Sequence, residues 1–530
     1  MDLFIAVVVA LVCAYEARFY LHMLQLESYQ LDGYLRYLKR NGGRMVDSTI
    51  VIGAGALILH YLLSLLGWLI FKKADLFVGR LITLAAFAAL AWALDQRLHK
   101  QKQKKPMAFT PRMKRLYACL AVICLAGSLI LWALGVPPYP LFIAVPYLAL
   151  AAGYLMQPVE NRINEGFKNQ ARAILKQRDD LIKIGITGSY GKTSTKFILA
   201  AILSERFRVL ATPASFNTPM GLTRVIREQL DNTHQIFLAE MGARHVGDIR
   251  ELVDLVHPTI GLITSVGPQH LETFHDIEIV ANTKFELIEG VTEANGMAFF
   301  SMDNGWVSKL YDRATCKKFA AGLQGTNLDM RADDITVGPS GSQFILRNAF
   351  GETVKCTTRL LGRHNIQNIV LAACCAEKLG MSMPEIARGI ARIKPVEHRL
   401  QLIPSSNGTT IIDDAFNSNP SGAKAAMEVL AGFPGRHIVI TPGMVEQGAG
   451  EAEINREFGR QMAAAANVAI LVGKKRSEPI RAGLIEAGMR EDSIHVAASL
   501  EEATGILARV SVPGDVVLFE NDLPDNYNEL

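Results

Sequence analysis

A chain of 530 residues has room for about three or four domains, and half of its residues are hydrophobic, gathered mainly in the first third. Its net charge of +4 lies largely in loops between apolar runs, which favours an anionic membrane surface over nucleic acid. Seven cysteines, with no Cys-x-x-Cys pair and no histidines at metal-ligand spacing, exclude a disulfide framework and a zinc site and fit reduced structural thiols; Cys374 and Cys375 read as core residues.

Five segments approach the about 20 apolar residues that cross a bilayer: 3–21, 50–71, 76–94, 116–135 and 139–156. Glu16 and Arg18 interrupt the first, yet Met1-Asp2 lacks a basic signal-peptide start and no clean cleavage site follows, so it reads as a retained helix. Arg36, Lys39, Arg40 and Arg44 after the first segment, and the basic run from Arg97 to Arg115 after the third, place both loops in the cytoplasm. Lys72 and Lys73 count against this arrangement. It describes a multi-pass protein of the cell membrane with everything after Met156 cytoplasmic. The predicted domains are a membrane domain (1–157), a linker helix (158–181) and two soluble domains (182–398 and 399–530). In the linker Val159, Ile163, Phe167, Ala171 and Ile174 recur every three to four residues, as in a helix that lies in the headgroup region or packs on the soluble part.

From residue 182 short β-rich runs alternate with helical ones. Strands are expected at 182–187, 208–211, 235–241, 260–266 and 297–301, the signature of a mostly parallel α/β sheet. Alternation with Gly and Pro turns over 319–361 predicts a small antiparallel insert. A helix over 365–379 follows, and a second, Rossmann-like α/β unit with strands at 410–413, 437–441, 468–472 and 516–519.

Between the first strand and a helix stands Thr187-Gly188-Ser189-Tyr190-Gly191-Lys192-Thr193-Ser194. Such a loop aims backbone N–H groups and a helix N-terminus at a polyphosphate, Lys192 reaches its outer oxygens, and Thr193 ligates Mg²⁺. Ile186 stands where the general pattern has its first glycine, and Gly188 comes two positions later. Glu240 and His270 follow later strands, where α/β sites are built. Glu240 could hold Mg²⁺ opposite Thr193, and His270 could ligate a second metal or donate to phosphate; either alone would more often be a surface or structural residue.

In this order the motifs resemble those of the Mur ligase family, ATP-dependent amide ligases, over about two thirds of the chain. Residues 187–194 resemble its phosphate loop. Phe216-Asn217-Thr218-Pro219-Met220-Gly221 resembles its substrate-side loop, Glu240-Met241-Gly242-Ala243 its Mg²⁺ carboxylate, and His270-Leu271-Glu272 its metal-site histidine. Lys284 matches a lysine that many members carry as a carbamate. Gly362-Arg363-His364-Asn365-Ile366-Gln367-Asn368 resembles the hinge motif that contacts adenine, and His398-Arg399-Leu400 the arginine opening the last domain. Asp413-Asp414-Ala415-Phe416-Asn417-Ser418-Asn419-Pro420 and Gly443-Met444-Val445-Glu446-Gln447-Gly448 resemble the D-alanyl-D-alanine-adding branch.

The resemblance implies ATP and Mg²⁺ as cofactors, with Lys192, His270, Lys284 and Arg399 catalytic. It implies nucleotide contacts from Gly188, Ser189, Gly191, Lys192, Thr193, Ser194, Asn365, Asn368 and Asp414, and substrate contacts from Asn217, Thr218, Phe416, Asn417 and Asn419. The metal ligands would be Thr193, Glu240, His270 and Lys284. The chain departs from the family in three places. Membrane helices stand where a uridine diphosphate-binding domain is usual, Glu520-Asn521-Asp522 replaces a basic C-terminal segment, and the asparagine usual near Ser301-Met302-Asp303-Asn304 is shifted or absent. The expected partners are the bilayer, ATP, a cell-envelope precursor, lipid-linked or uridine diphosphate-linked, and an amino acid or dipeptide. A poly-amino-acid synthetase of the same superfamily, and an ATP-driven transporter or membrane regulator, stand as alternatives. Few charges inside the apolar segments argue against transport.

Overall fold

The computed structural model describes residues 2–71, 77–98, 106–214, 216–268, 271–404, 408–415, 418–445, 447 and 450–522. They divide into two compact units, 2–165 and 166–522.

The first unit is helical: α1 (Asp2–Leu26), α2 (Leu31–Phe71), α3 (Phe77–Leu98), α4 (Pro111–Ala133) and α5 (Leu141–Lys176), the last running on into the second unit. All five are long and apolar enough to cross a membrane. Asp2 pairs with Arg80, and Tyr15 and Arg18 both meet Asp95, so α1 and α3 run parallel and in register. Thr110 caps α4 by accepting from Met113 N–H at 3.2 Å, with Pro111 opening the helix. Two elements are longer than expected. α2 begins at Leu31 instead of residue 50, and the fifth apolar segment and the linker form the single helix α5, with Pro146 and Pro158 inside it.

The second unit holds two mixed sheets. The first comprises β1 (Ile182–Thr187), β2 (Val209–Ala211), β3 (Ile236–Glu240), β4 (Ile260–Ile263), β5 (Met297–Ser301), β6 (Lys317–Gly322), β7 (Met330–Gly338), β8 (Gly341–Asn348) and β9 (Thr353–Thr358), in the order β2-β3-β1-β4-β5-β6-β7-β8-β9. β1 to β7 pair in parallel and β7 to β9 antiparallel. The expected antiparallel insert is therefore an extension of the main sheet, joined through β6 and β7. β3 and β4 are buried along their whole length because helices cover both faces, and their sequences IFLAE and IGLI read as near-continuous apolar runs. The helix Arg363–Lys378 packs on this sheet and buries Cys374 and Cys375 completely.

The second sheet comprises β10 (Gln401–Pro404), β11 (Thr410–Asp414), β12 (His437–Thr441), β13 (Val468–Val472), β14 (Ile494–Ala497) and β15 (Val516–Glu520), ordered β10-β11-β15-β12-β13-β14. β10 is antiparallel at one edge, and the other strands are parallel. Neither edge strand, β10 or β14, was anticipated, nor was the helix Met383–Ala391.

Candidate active site

β1 lies between β3 and β4, and the chain leaves it through residues 188–191 into α6 (Lys192–Leu203). The loop leans on the segment after β4. Ser189 N–H donates to Ser265 O at 2.7 Å, Ser189 Oγ to Gly267 O at 3.0 Å, and Tyr190 N–H to Ser265 Oγ at 3.0 Å. Two glycines are obligatory here. A Cβ on Gly188 would lie 2.0 Å from Thr264 Oγ1, and Gly191, at φ +81°, would place one 2.7 Å from Asn368 Oδ1. Lys192 folds back over the loop, donating to Gly188 O at 2.6 Å and Ser189 O at 3.1 Å. Burial holds its ammonium down to about 8, with Arg399 adding to the effect and Glu240 opposing it.

At the end of β3, Glu240 is 1% exposed and accepts from three side chains. Oε1 accepts from Thr193 Oγ1 at 3.0 Å and Asn217 Nδ2 at 3.2 Å, and Oε2 accepts from Lys196 Nζ at 2.9 Å. Lys196 is fully buried and also donates to Ala214 O. Motif reading missed Lys196; its only sequence signal is its place one turn beyond Thr193 on the same face of α6. Thr218 accepts from Gly221 N–H at 3.2 Å and so caps the helix Pro219–Glu228.

Lys284, on the helix Ile277–Glu293, is 2% exposed and makes no hydrogen bond among the described residues. Burial, and the charge of Lys192 beside it, bring its amine down to about 7. An amine held down in this way is unprotonated more often than an exposed lysine. Thr193 and Glu240, hydrogen-bonded to each other, supply oxygen donors of the kind a hard cation takes, with no group of three His, Cys, Asp or Glu beside them among the described residues. His270, Phe416 and Asn417 lie outside the described residues.

From the second sheet comes Arg399, whose guanidinium faces Asp414, Glu240, Lys192 and His364. Its neighbours His398 and Leu400 have φ of +58° and +46°, a strained segment tied to β11 by His398 Nδ1 at 2.7 Å from Asp413 Oδ2 and Leu400 N–H donating to Asp414 Oδ1 at 3.1 Å. Burial and Glu520 raise the Asp414 carboxyl to about 7. Burial and Arg399 hold His364 down to about 4. Ser194, Asn365 and Arg399 line one small pocket, and Asn368 lies against Gly191. A larger cavity of ≈ 280 Å³ is lined by Met302, Asp303, Leu323, Arg363 and Gln367. Asn304 joins its rim to the loop after β4, donating to Val266 O at 2.9 Å. Asn419 caps the helix Pro420–Ala431, and Glu520 is buried, accepting from Thr441 Oγ1 at 2.6 Å and from Ser418 Oγ. Residues 192, 193, 194, 240, 284, 365, 368, 399 and 414, scattered along the sequence, thus converge at the carboxyl ends of β1 and β3, facing the second sheet.

The Mur ligase middle domain matches residues 186–376 and the Mur ligase glutamate ligase domain matches residues 398–520. The UDP-N-acetylmuramoyl-tripeptide–D-alanyl-D-alanine ligase of Escherichia coli (strain K12) is 32% identical over 301 residues, covering 56% of this chain and 65% of its own. The enzyme of that name from Bacillus subtilis (strain 168) is 31% identical over 279 residues, covering 52% and 59%. The chain therefore spans less than two thirds of the length of either relative. The MurF ligase of Thermotoga maritima, solved in complex with ADP, superposes with a TM-score of 0.61 at 26% identity over 68% of this chain and 80% of that one. With the two domain matches together occupying more than half of its length, the chain belongs to the Mur ligase family, in its MurF-like branch.

Proposed function

We propose that the chain is a membrane-anchored, ATP- and Mg²⁺-dependent amide ligase that joins an amino acid or dipeptide to a cell-envelope precursor at the cytoplasmic face. The convergence of the Lys192 loop, the Thr193–Glu240 pair and Arg399 carries this reading. The reaction passes from ATP and a carboxylate to an acyl phosphate, and then, by attack of an amine, to amide and phosphate. On nucleotide binding Lys192 exchanges the Gly188 and Ser189 carbonyls for phosphate oxygens, and Arg399 approaches from the second sheet to offset charge on the transferring phosphoryl group. Glu240 orients the Thr193 hydroxyl. Thr193, Glu240 and Lys284, as its carbamate, would hold Mg²⁺, which when bound offsets charge on the phosphates. Arg363 and Gln367, on the helix that also carries Asn365 and Asn368, line the larger cavity and support placing the adenine there. Apposition of the two sheets keeps water from the acyl phosphate.

The five apolar helices favour a lipid-linked acceptor, with a uridine diphosphate-linked one as the competing choice. The basic residues from Arg97 to Arg115 favour a cytoplasmic catalytic unit. The test is ATP-dependent ligation by the full chain in detergent, offering D-alanyl-D-alanine and single amino acids against both acceptor classes, read by mass spectrometry with Lys192→Ala as control. A mass gain on one acceptor with ADP release is expected. ADP release without any mass gain would point to a nucleotide-driven membrane device instead.

A further inference from the structure

Within the helical unit Glu16 is 1% exposed, and neither of its carboxylate oxygens has a hydrogen-bond partner among the described residues. Tyr20, one turn further on the same face of α1, is fully buried and its hydroxyl is likewise unpartnered. Other charges nearby are already engaged. Arg18 Nε donates to Tyr15 O at 3.0 Å, its guanidinium lies 3.6 Å over the Tyr15 ring, and Nη2 is 3.6 Å from Asp95 Oδ1. The Tyr15 hydroxyl donates to Asp95 Oδ2 at 3.5 Å. Arg18 thus offsets Asp95, and an ionised Glu16 would leave one negative charge over. The titratable groups around this cluster include Cys13, Tyr15, Arg18 and Tyr20 on α1, Tyr34 and Tyr37 on α2, Asp95 on α3, and Tyr117 and Cys124 on α4. Arg18 is the single cation among them.

Glu16 lies ~21 Å along α1 from the Asp2–Arg80 pair, at ~1.5 Å per residue. That depth falls inside the roughly 30 Å hydrocarbon layer. A carboxylate there without a donor is disfavoured, and a helix serving only as an anchor would carry an apolar side chain instead. No group of three His, Cys, Asp or Glu that could hold a metal ion occurs among the described residues, so a divalent cation would lack compensating ligands. We propose that Glu16 and Tyr20 form a binding site for one positive charge, a proton or an alkali cation, on the buried face of α1. Bound as a proton, it converts Glu16 to the neutral acid. Bound as Na⁺, it is held by carboxylate and phenol oxygens. The helical unit is then a cation-responsive body, independently of how the catalytic unit is read.

The experiment uses the full chain in detergent, as wild type, Glu16→Gln and Tyr20→Phe, in choline chloride and in NaCl across a pH series. Two readouts are followed: the unfolding midpoint, and the infrared carbonyl stretch of a protonated carboxylic acid. For the alkali cation, NaCl raises the wild-type midpoint by roughly 2–4 °C and leaves Glu16→Gln unmoved. For the proton, sodium has no effect, and the wild type shows a protonated-acid band at neutral pH that Glu16→Gln lacks. A wild type with neither response, or a Glu16→Gln variant that responds as the wild type does, overturns the proposal. Should Glu16→Gln fail to fold, Tyr20→Phe decides: a weakened sodium response or a displaced acid band supports the site, and wild-type behaviour in both refutes it.

Discussion

Lys284 offers the sharpest test of the site, because its burial has a calculable cost. Its amine is brought from the ordinary 10.5 to about 7 by desolvation and by Lys192. At 1.36 kcal/mol per pKa unit, that displacement is ~5 kcal/mol against folding whenever the group must be protonated. Between pH 7 and 10.5 the unfolded chain binds the proton that the folded chain has released, so stability rises with pH across this window. The penalty is complete below pH 7 and fades toward 10.5. Lys284→Met keeps the length and removes the charge. The variant should therefore be more stable than the wild type by up to ~5 kcal/mol at about pH 6 and by ~2 kcal/mol at about pH 9, while losing ligation.

The assay is the unfolding midpoint of both proteins in detergent over that pH range, with ligation measured alongside. A Met variant no more stable than the wild type at pH 6, or a gap that does not shrink in alkali, would refute the assignment of a desolvated amine. Ligation should also depend on bicarbonate, and Lys284→Ala should be partly rescued by short carboxylic acids; failure of both would leave Lys284 a structural residue.

Asp414, raised from 3.8 to about 7, works in the opposite sense: its ionised form is penalised as pH rises through this window, so Asp414→Asn should stabilise the chain at pH 8, change little at pH 4, and abolish product formation. Gly188→Ala would drive a Cβ to 2.0 Å from Thr264 Oγ1, and should cost ~2–4 kcal/mol in unfolding measurements and lower affinity for a fluorescent ATP analogue by more than ~10-fold. Arg115 holds Glu160, 5% exposed, through bonds of 2.7 and 2.8 Å, with Arg112 3.9 Å away. Arg115→Ala should cost ~3 kcal/mol in the midpoint, and Arg115→Lys should recover only part because it loses the two-point geometry.

The parts of this architecture that were legible in the sequence are those written locally. Residues 182–187 form β1 as expected, because a strand, a glycine loop and a helix are each specified within about eight residues. The second apolar segment, 50–71, coincides with the span Asp47–Ile70, and α2 extends back to Leu31 because helical structure continues through Lys39 and Arg40, where hydropathy falls. β10 and β14 are edge strands of four residues each, QLIP and IHVA, in which a polar residue or proline breaks the apolar run. Lys196 escaped because a buried lysine has no signature without its partner, and Glu240 lies 44 positions away. Arg399 and Asp414 could be joined to the loop only through family resemblance, since contacts across two sheets leave no spacing rule.

The site's charge balance leads to one more measurable consequence. Lys192, Lys196 and Arg399 converge on Glu240, Arg399 also faces Asp414, and Lys284 lies beside Lys192 with Asp248 and Glu286 near it; each of the four cations is held below its ordinary value, burial being the largest cause in every case. A polyphosphate entering this site favours the protonated form of Lys192, near 8, so nucleotide binding at pH 8 should take up protons. Calorimetry in buffers of different ionisation enthalpy would count them. Lys192→Met should reduce the uptake, and Lys284→Met should remove any opposing release from carbamate formation. Zero uptake in the Lys284→Met protein would mean that the phosphates do not meet Lys192, and the loop would lose its assigned role.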